Sequence, residues 1–129
     1  MNVIGIGIDS VDVKRFTKAA KERGSKFLER IFTARELEYA AGKKDNFTHM
    51  AGKFAAKEAV KKALPDGAEI GLRWPDIEIL NSDDGKPYAA LHGAANKLKN
   101  KHGISKVLVS ISHTHKVAVS NAVVIKDGA

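Results

Sequence analysis

The sequence contains no cysteine, few aromatic residues and no long apolar run, and each of these absences excludes a class of protein. Without cysteine the chain has neither disulfides nor thiolate metal sites, and its composition suits a reducing cytosol. No apolar run reaches the roughly 18 residues that a membrane span needs. The first ten residues, MNVIGIGIDS, lack the basic segment and cleavage site of a signal peptide. We therefore expect a cytoplasmic protein with no membrane partner.

The residues that are present predict one folded domain with a basic face. Of the 129 residues, 43% are hydrophobic and only 6% aromatic, which predicts a single domain over residues 1–129 packed mainly with Val, Ile, Leu and Ala. Residues 11–62 carry fourteen Lys and Arg against seven Asp and Glu, and the remaining residues carry eight of each. This excess predicts an anionic partner, either nucleic acid, a phosphate-rich small molecule or an acidic protein. The alternative is a solvated face that serves solubility.

Hydrophobic periodicity predicts an α+β domain, in which helices pack on one side of an antiparallel sheet. In the first half, VIGIGIDS is a strand, VDVKRFTKAAKERG is a helix that ends at Gly24, and FTARELEYA is a short helix. Thr33 and Glu36 stand in a capping-box pattern at the start of that short helix. A longer helix is predicted over residues 47–64, and it ends before Pro65.

The second half of the chain is predicted to be rich in strands. DIEIL and KPYAAL flank NSDDG and predict a hairpin with Asp84 and Gly85 at its tip. AANKLKNKHG predicts a short helix that ends at Gly103. KVLVSIS and KVAVSNAVVIK predict a last hairpin around HTH.

The first strand ends in a carboxylate on a face that is otherwise bare. Gly5, Gly7 and Asp9 alternate with isoleucines, and glycine inside a strand often marks the close approach of a ligand or of another backbone. Asp9 is therefore a candidate ligand-binding residue. The alternative is that Asp9 only caps the helix that follows.

The stretch FAAKEAVKKAL places Glu58 among lysines. A Glu58–Lys62 pair at i, i+4 would be an ordinary surface bridge of about 0.2–0.5 kcal/mol, but it accounts for one lysine and not for four. Two carboxylates, here Asp9 and Glu58, are the usual minimal protein contribution to a Mg²⁺ site, which takes its other ligands from water and phosphates. Lysines beside such a site neutralise phosphates. The pattern predicts phosphoryl chemistry, provided that Asp9 and Glu58 meet in space, which the spacing alone leaves open.

The stretch SISHTHK lies between two strongly β-patterned segments. Its hydroxyls, backbone N–H groups and imidazoles could bind a phosphate, and the alternative is a polar turn in which His113 and His115 are solvated. The two histidines do not by themselves predict a metal site, because no third nitrogen or sulfur ligand lies nearby in sequence. No G-x-S-x-G elbow supports a serine hydrolase.

Together, GIGIDSVDVKRF, FAAKEAVKKAL and SISHTHKVAVSNAVV resemble the signature blocks of the holo-[acyl-carrier-protein] synthases, the small bacterial 4′-phosphopantetheinyl transferases. RIFTARELEYA and WPDIEILNSDDGKPYAAL match the segments between these blocks, so the resemblance covers nearly the whole chain in order. The resemblance implies an enzyme of fatty acid biosynthesis. It would transfer the 4′-phosphopantetheine arm of coenzyme A to a serine of apo acyl carrier protein and release adenosine 3′,5′-bisphosphate.

The resemblance also implies roles for individual residues. The metal ligands of the family carry over onto Asp9 and Glu58, which would hold Mg²⁺ against the pyrophosphate, and the catalytic lysine carries over onto Lys62. Either Glu58 or a Mg²⁺-bound water would remove the serine proton, and the sequence does not decide between them. Where the family often has arginine this chain has Lys53, which would replace a bidentate grip on the 3′-phosphate by a point charge. The implied coenzyme-binding residues are Lys53, Lys57, Gly85, Lys86, Pro87, Ser112, His113 and Thr114.

Two partners are implied besides coenzyme A. The basic ridge of Lys14, Arg15, Lys18 and Lys21 is the expected dock for the acidic acyl carrier protein, and its attraction should weaken with salt. The family assembles as a homotrimer with active sites between subunits.

A nucleic-acid-binding module is the main alternative function, but sparse aromatics and the lack of an RNP or helix-turn-helix pattern argue against it. A coenzyme-binding protein without catalysis would use the same pocket without needing Asp9 or Glu58 for turnover.

Overall fold

Most helices follow the first strand and most strands lie in the second half of the chain, and together they pack as an α+β domain, which confirms the predicted class. The computed structural model describes residues 1–128. Its helices and strands are, in order, β1 (Asn2–Asp12), α1 (Val13–Arg23), α2 (Ser25–Ile31), α3 (Ala34–Ala41), α4 (Asn46–Ala63), β2 (Ile77–Asn81), β3 (Pro87–Leu91), α5 (Gly93–His102), β4 (Ile104–His113) and β5 (Val117–Lys126). The strands are divided between two antiparallel sheets, one of order β1-β5-β4 and the other formed by β2 and β3.

Local capping signals fix several helix ends where the sequence predicts them. Gly24 follows α1 with φ 73°, and Gly103 follows α5 in the left-handed conformation. The capping box of Thr33 and Glu36 is formed at the start of α3. The cap of α1 is Asp12, whose carboxylate accepts the N–H of Arg15 at 2.8 Å. The alternative that Asp9 caps this helix is therefore wrong. Helix α2 was not predicted.

Helix α4 lies directly against strand β1. A Cβ atom added to Gly7 would lie 2.0 Å from the carbonyl oxygen of Ala59, and one added to Gly5 would lie 1.8 Å from that of Ala63. The bare face of β1 is thus occupied by the backbone of another element, one of the two possibilities that glycine in a strand suggests. This close contact places the end of β1, with Asp9, beside the middle of α4.

The other face of the β1-β5-β4 sheet carries an apolar patch that is uncovered in this chain. Antiparallel register aligns Ile6 with Val123 and Leu108 across the three strands. Ile6, Ile8 and Leu108 are 74%, 64% and 51% exposed. Ile6 and Ile8 therefore point away from the core of the single chain, whereas Ile4 packs against it.

No helix in the described part of the chain combines the length and the apolarity that crossing a membrane requires.

Candidate active site

The structure brings the two predicted metal-binding carboxylates into electrostatic contact. Glu58 is half-buried on α4, on the side where β1 places Asp9. Burial, and then the negative charge of Asp9, raise the pKa of Glu58 above its ordinary value, whereas Lys61 and Lys62 act to lower it. Asp9 and Glu58 therefore lie near enough within one chain for their charges to interact, which is consistent with the metal site that the sequence predicts.

Lys62 completes this cluster. Its ammonium donates to the carboxylate of Asp9 at 3.1 Å and to the carbonyl oxygen of Ile8 at 3.1 Å. The Lys62 side chain is 54% exposed, so its charge is available to a ligand from solvent. Lys62 therefore bridges α4 and β1. The three residues predicted as catalytic, Asp9, Glu58 and Lys62, lie together.

The carboxylate pair fits a Mg²⁺ ion that keeps most of its coordination sphere for other ligands. Residues 1–128 contain no group of three or more His, Asp or Glu side chains placed to hold a metal ion. Two carboxylates suit Mg²⁺, which retains several waters and takes phosphate oxygens as ligands. A divalent cation would also relieve the repulsion by which Asp9 raises the pKa of Glu58. The two carboxylates therefore fit a Mg²⁺ ion whose remaining ligands come from substrate or water.

Lys57, predicted to bind coenzyme A, is instead part of the core. Its ammonium is completely buried and lies 2.7 Å from the carboxylate of Glu36. It also donates to the carbonyl oxygens of Ile77 at 2.6 Å and Trp74 at 3.3 Å. These three acceptors use all three of its protons. The prediction for Lys57 is wrong because its charge joins α4 to α3 and to β2 and has no proton left for a ligand.

A separate cavity lies at the other end of α4. Its volume is about 190 Å³. Four of the predicted coenzyme-binding residues line it, namely Lys53, Gly85, Pro87 and His113. They come from α4, from the β2–β3 turn and from the end of β4, so the fold gathers residues that are up to 60 positions apart in the sequence.

The electrostatics of this cavity centre on Lys53. Its ammonium is buried, has no hydrogen-bond partner in the described part of the chain, and lies 4.2 Å from the ring centre of Tyr39. Burial lowers the pKa of Lys53 from its ordinary value to about 8. A buried unpaired charge is unfavourable, so the cavity is arranged for an anion.

Four residues that line the cavity were missed by the sequence analysis, namely Tyr39, His49, Asn81 and Ile111. The His49 ring meets the His113 ring edge-on, with centroids 5.5 Å apart. Burial, followed by the charges of His113 and Lys43, lowers the pKa of His49. Asn81 lies at the start of the β2–β3 turn. The spacing of His49, one helical turn before Lys53, was the available signal, whereas nothing in the sequence singled out Asn81.

The remaining predicted coenzyme-binding residues do not line this cavity. Ser112 lies beside His113 on β4, and its side chain is on the opposite, exposed face of the sheet. Thr114 accepts the N–H groups of Lys116 and Val117 and so closes the β4–β5 turn. Lys86 is exposed at the β2–β3 turn. None of these three residues is among those that line the cavity of Lys53.

The basic ridge of α1 runs beside the carboxylate cluster. Its four members, Lys14, Arg15, Lys18 and Lys21, are all exposed. Arg15 lines a groove together with Asp9, Phe27 and Phe54. A partner on this ridge would therefore reach the carboxylate cluster along one continuous surface.

Comparison with known proteins gives consistent similarities over nearly the full length. Residues 5–120 match the 4′-phosphopantetheinyl transferase superfamily. The chain is 43% identical to the holo-[acyl-carrier-protein] synthase of Geotalea daltonii, over 96% of this chain and 99% of that protein. It superimposes on the acyl carrier protein synthase of Plasmodium yoelii with ADP bound at a TM-score of 0.85, with 34% identity and 98% of each chain covered. It also superimposes on the holo-[acyl-carrier-protein] synthase of Helicobacter pylori in complex with coenzyme A at a TM-score of 0.79. The sequence identity is 35%, and the match covers 93% of this chain and 99% of that one.

Proposed function

Because the chain belongs to the 4′-phosphopantetheinyl transferase superfamily, we propose that it is a Mg²⁺-dependent enzyme of fatty acid biosynthesis in the cytoplasm. It transfers 4′-phosphopantetheine from coenzyme A to a serine of apo acyl carrier protein and releases adenosine 3′,5′-bisphosphate. The observation that carries the proposal is the meeting of Asp9, Glu58 and Lys62 between β1 and α4.

The chain's own residues supply distinct parts of this chemistry. Mg²⁺ held by Asp9 and Glu58 would neutralise the pyrophosphate of coenzyme A. Lys62 offers an exposed ammonium to the phosphate that is attacked, where negative charge develops. Glu58 is the base that this chain offers at the site for the proton of the acceptor serine.

The nucleotide end of coenzyme A occupies the cavity of Lys53 in this proposal. The unpaired ammonium of Lys53 and the imidazoles of His49 and His113 offer positive or hydrogen-bonding groups to a phosphate. Solved relatives in complex with coenzyme A and with ADP support the same class of ligand. Binding at this cavity and reaction at the carboxylate cluster use the two ends of the same helix, α4.

Acyl carrier protein docks on α1. Support comes from the exposed ridge of Lys14, Arg15, Lys18 and Lys21 and from the groove that connects Arg15 to Asp9. Reversing the charge of Lys14, Lys18 and Lys21 together should raise the KM for the carrier protein and leave the KM for coenzyme A nearly unchanged, because rim charges act mainly on association. An unchanged KM for the carrier protein would remove α1 as the dock.

The enzyme assembles as a homotrimer. The uncovered apolar face with Ile6, Ile8 and Leu108 supports burial against further copies. It also carries Ser112, so a neighbouring copy could bring this residue to a shared active site. Analytical ultracentrifugation should give three chains per particle, and Ile6→Lys should shift the population to single chains. A wild-type protein that sediments as one chain would refute the assembly.

Mass spectrometry of apo acyl carrier protein tests the reaction directly. Incubation with the protein, coenzyme A and Mg²⁺ should add one phosphopantetheine group to the carrier protein. Asp9→Asn and Glu58→Gln should each lower the rate by about a hundredfold or more, whereas the exposed control Glu69→Gln should not. A carrier protein of unchanged mass would refute the activity. Full transfer by both variants would refute the metal site alone.

A further inference from the structure

The side-chain amide of Asn81 has a fixed orientation at the edge of the Lys53 cavity. Asn81 is the last residue of β2, and its Nδ2 donates to the carbonyl oxygen of Gly85 at 3.0 Å across the β2–β3 turn. Since a carbonyl oxygen can only accept a hydrogen bond, the amide nitrogen must face Gly85. The Oδ1 atom of Asn81 therefore points away from that bond, in a direction set by the turn.

This oxygen is an acceptor without a donor. Oδ1 of Asn81 is buried and has no hydrogen-bond partner among the described residues, and the same is true of the ammonium of Lys53. Both residues line the same cavity, and they also line the adjoining one that continues past Tyr39. A buried polar group left unpaired destabilises a protein unless something else satisfies it. The cavity thus presents one unpaired cation and one unpaired acceptor, which call for a ligand with an anionic group and an N–H donor.

We propose that Asn81 selects the base of the bound nucleotide by accepting a hydrogen bond from its exocyclic amino group. The proposal rests on the proposed function, in which this cavity holds the nucleotide end of coenzyme A. Adenine carries an amino group at position 6. Unsubstituted purine has no donor there, and hypoxanthine and guanine place a second acceptor against Oδ1 of Asn81. A site built around a hydrogen bond discriminates strongly against ligands that leave the bond unmade.

A purely structural role makes a different prediction. If Asn81 only locks the turn through Gly85, replacing it loosens the cavity wall and weakens all nucleotides by the same factor. Selectivity between bases, and not affinity itself, therefore separates the two roles.

Isothermal titration with two nucleotides measures that selectivity. Adenosine 3′,5′-bisphosphate and purine riboside 3′,5′-bisphosphate differ only in the 6-amino group. The wild-type protein should bind the first at least about tenfold more tightly. In Asn81→Ala this ratio should fall to about one, although both affinities decrease. The matched control Asn96→Ala, on the exposed side of α5, should keep the wild-type ratio.

Each outcome decides the proposal. A wild-type ratio near one overturns it, and so does a high ratio that Asn81→Ala retains. If Asn81→Ala does not fold, Asn81→Val replaces it, because valine suits the end of a strand and its side chain has no hydrogen-bond acceptor; the same ratio is then read. Failure of the wild-type protein to bind adenosine 3′,5′-bisphosphate overturns the proposed function as well. Binding and transfer without base selectivity would overturn the role of Asn81 only.

Discussion

Lys53 and Lys57 lie one turn apart on α4 and are nearly identical in burial, at 5% and 0% exposed, yet they differ completely in their partners. The ammonium of Lys57 is held by the carboxylate of Glu36 and two carbonyl oxygens. The ammonium of Lys53 has no hydrogen-bond partner among the described residues and lies over the ring of Tyr39. The same helix therefore carries one buried charge that is part of the structure and another that is available to a ligand.

The difference shows that burial alone does not identify the function of a charged residue. A buried ion pair whose hydrogen bonds are complete joins secondary-structure elements, and here it connects α4 with α3 and β2. A buried charge beside a cavity with its protons unused has a destabilising effect that only a ligand removes. The carboxylate of Glu78, next to this core network, illustrates the first case: burial tends to raise its pKa, but hydrogen bonds from Thr33 and His92 outweigh that effect and lower it.

The largest effect that we expect from replacing one of these two lysines is on the stability of the fold. Lys57→Met should lower the free energy of unfolding by about 3–5 kcal/mol, because it leaves the Glu36 carboxylate buried without its counter-charge. Lys53→Met is the matched control on the same helix, and it should leave stability unchanged or increase it. Urea unfolding followed by circular dichroism measures both. A loss below about 1 kcal/mol for Lys57→Met, or an equal loss for the two variants, would contradict the distinction.

The next largest effect is on ligand affinity. Here Lys53 is the lysine whose replacement matters, whereas Lys57 is the one that matters for stability. Lys53→Met should raise the Kd for adenosine 3′,5′-bisphosphate by about ten- to a hundredfold, since a charge-assisted hydrogen bond is lost. Lys97→Met, an exposed change on α5, should leave the Kd unchanged. Isothermal titration provides the measurement. An unaltered Kd in Lys53→Met would show that the nucleotide does not use this ammonium.

The smallest expected effect is the dependence of ligand affinity on pH. Because burial lowers the pKa of Lys53 to about 8, a growing share of the free protein carries a neutral amine as pH rises through 8. An anion favours the ammonium and binds with proton uptake, so affinity is fully present below pH 8 and is lost above it.

Titrations across this range test the linkage. The Kd for adenosine 3′,5′-bisphosphate should rise about tenfold between about pH 7.5 and 9.5 in the wild-type protein. In Lys53→Arg it should stay flat, because a guanidinium remains charged throughout this range. Parallel pH curves for the two proteins would exclude Lys53 as the titrating group.

Local signals made much of the fold predictable. Gly24, Gly103 and the Thr33–Glu36 capping box act within a few residues, so the sequence alone determines where those helices begin or end. Helix α2 was missed because its seven residues lie directly between Gly24 and a buried phenylalanine and leave little periodicity to detect. The division of the strands between two sheets depends on long-range packing and has no local signature.

The sequence predicts the site residues whose role follows from their residue type. It does not predict residues whose role depends on partners far away in the chain. Asp9, Glu58 and Lys62 stand out as charges in unusual positions, and the fold brings them together. Lys57 was misassigned because its partner, Glu36, lies 21 positions earlier in the chain. Asn81 was overlooked because an asparagine in a turn is ordinary, and only its unsatisfied oxygen makes it notable.

The contact of Gly5 and Gly7 with the carbonyl groups of Ala63 and Ala59 makes the two faces of β1 unequal in their tolerance of change. At the exposed Ile6 and Ile8 a substitution alters what the strand meets outside the chain. On the glycine face even one methyl group would push the strand outward and separate Asp9 from Glu58 on the far side of the gap. The spacing of the reactive acids is thus set by two glycines that precede Asp9 in the same strand by four and two residues.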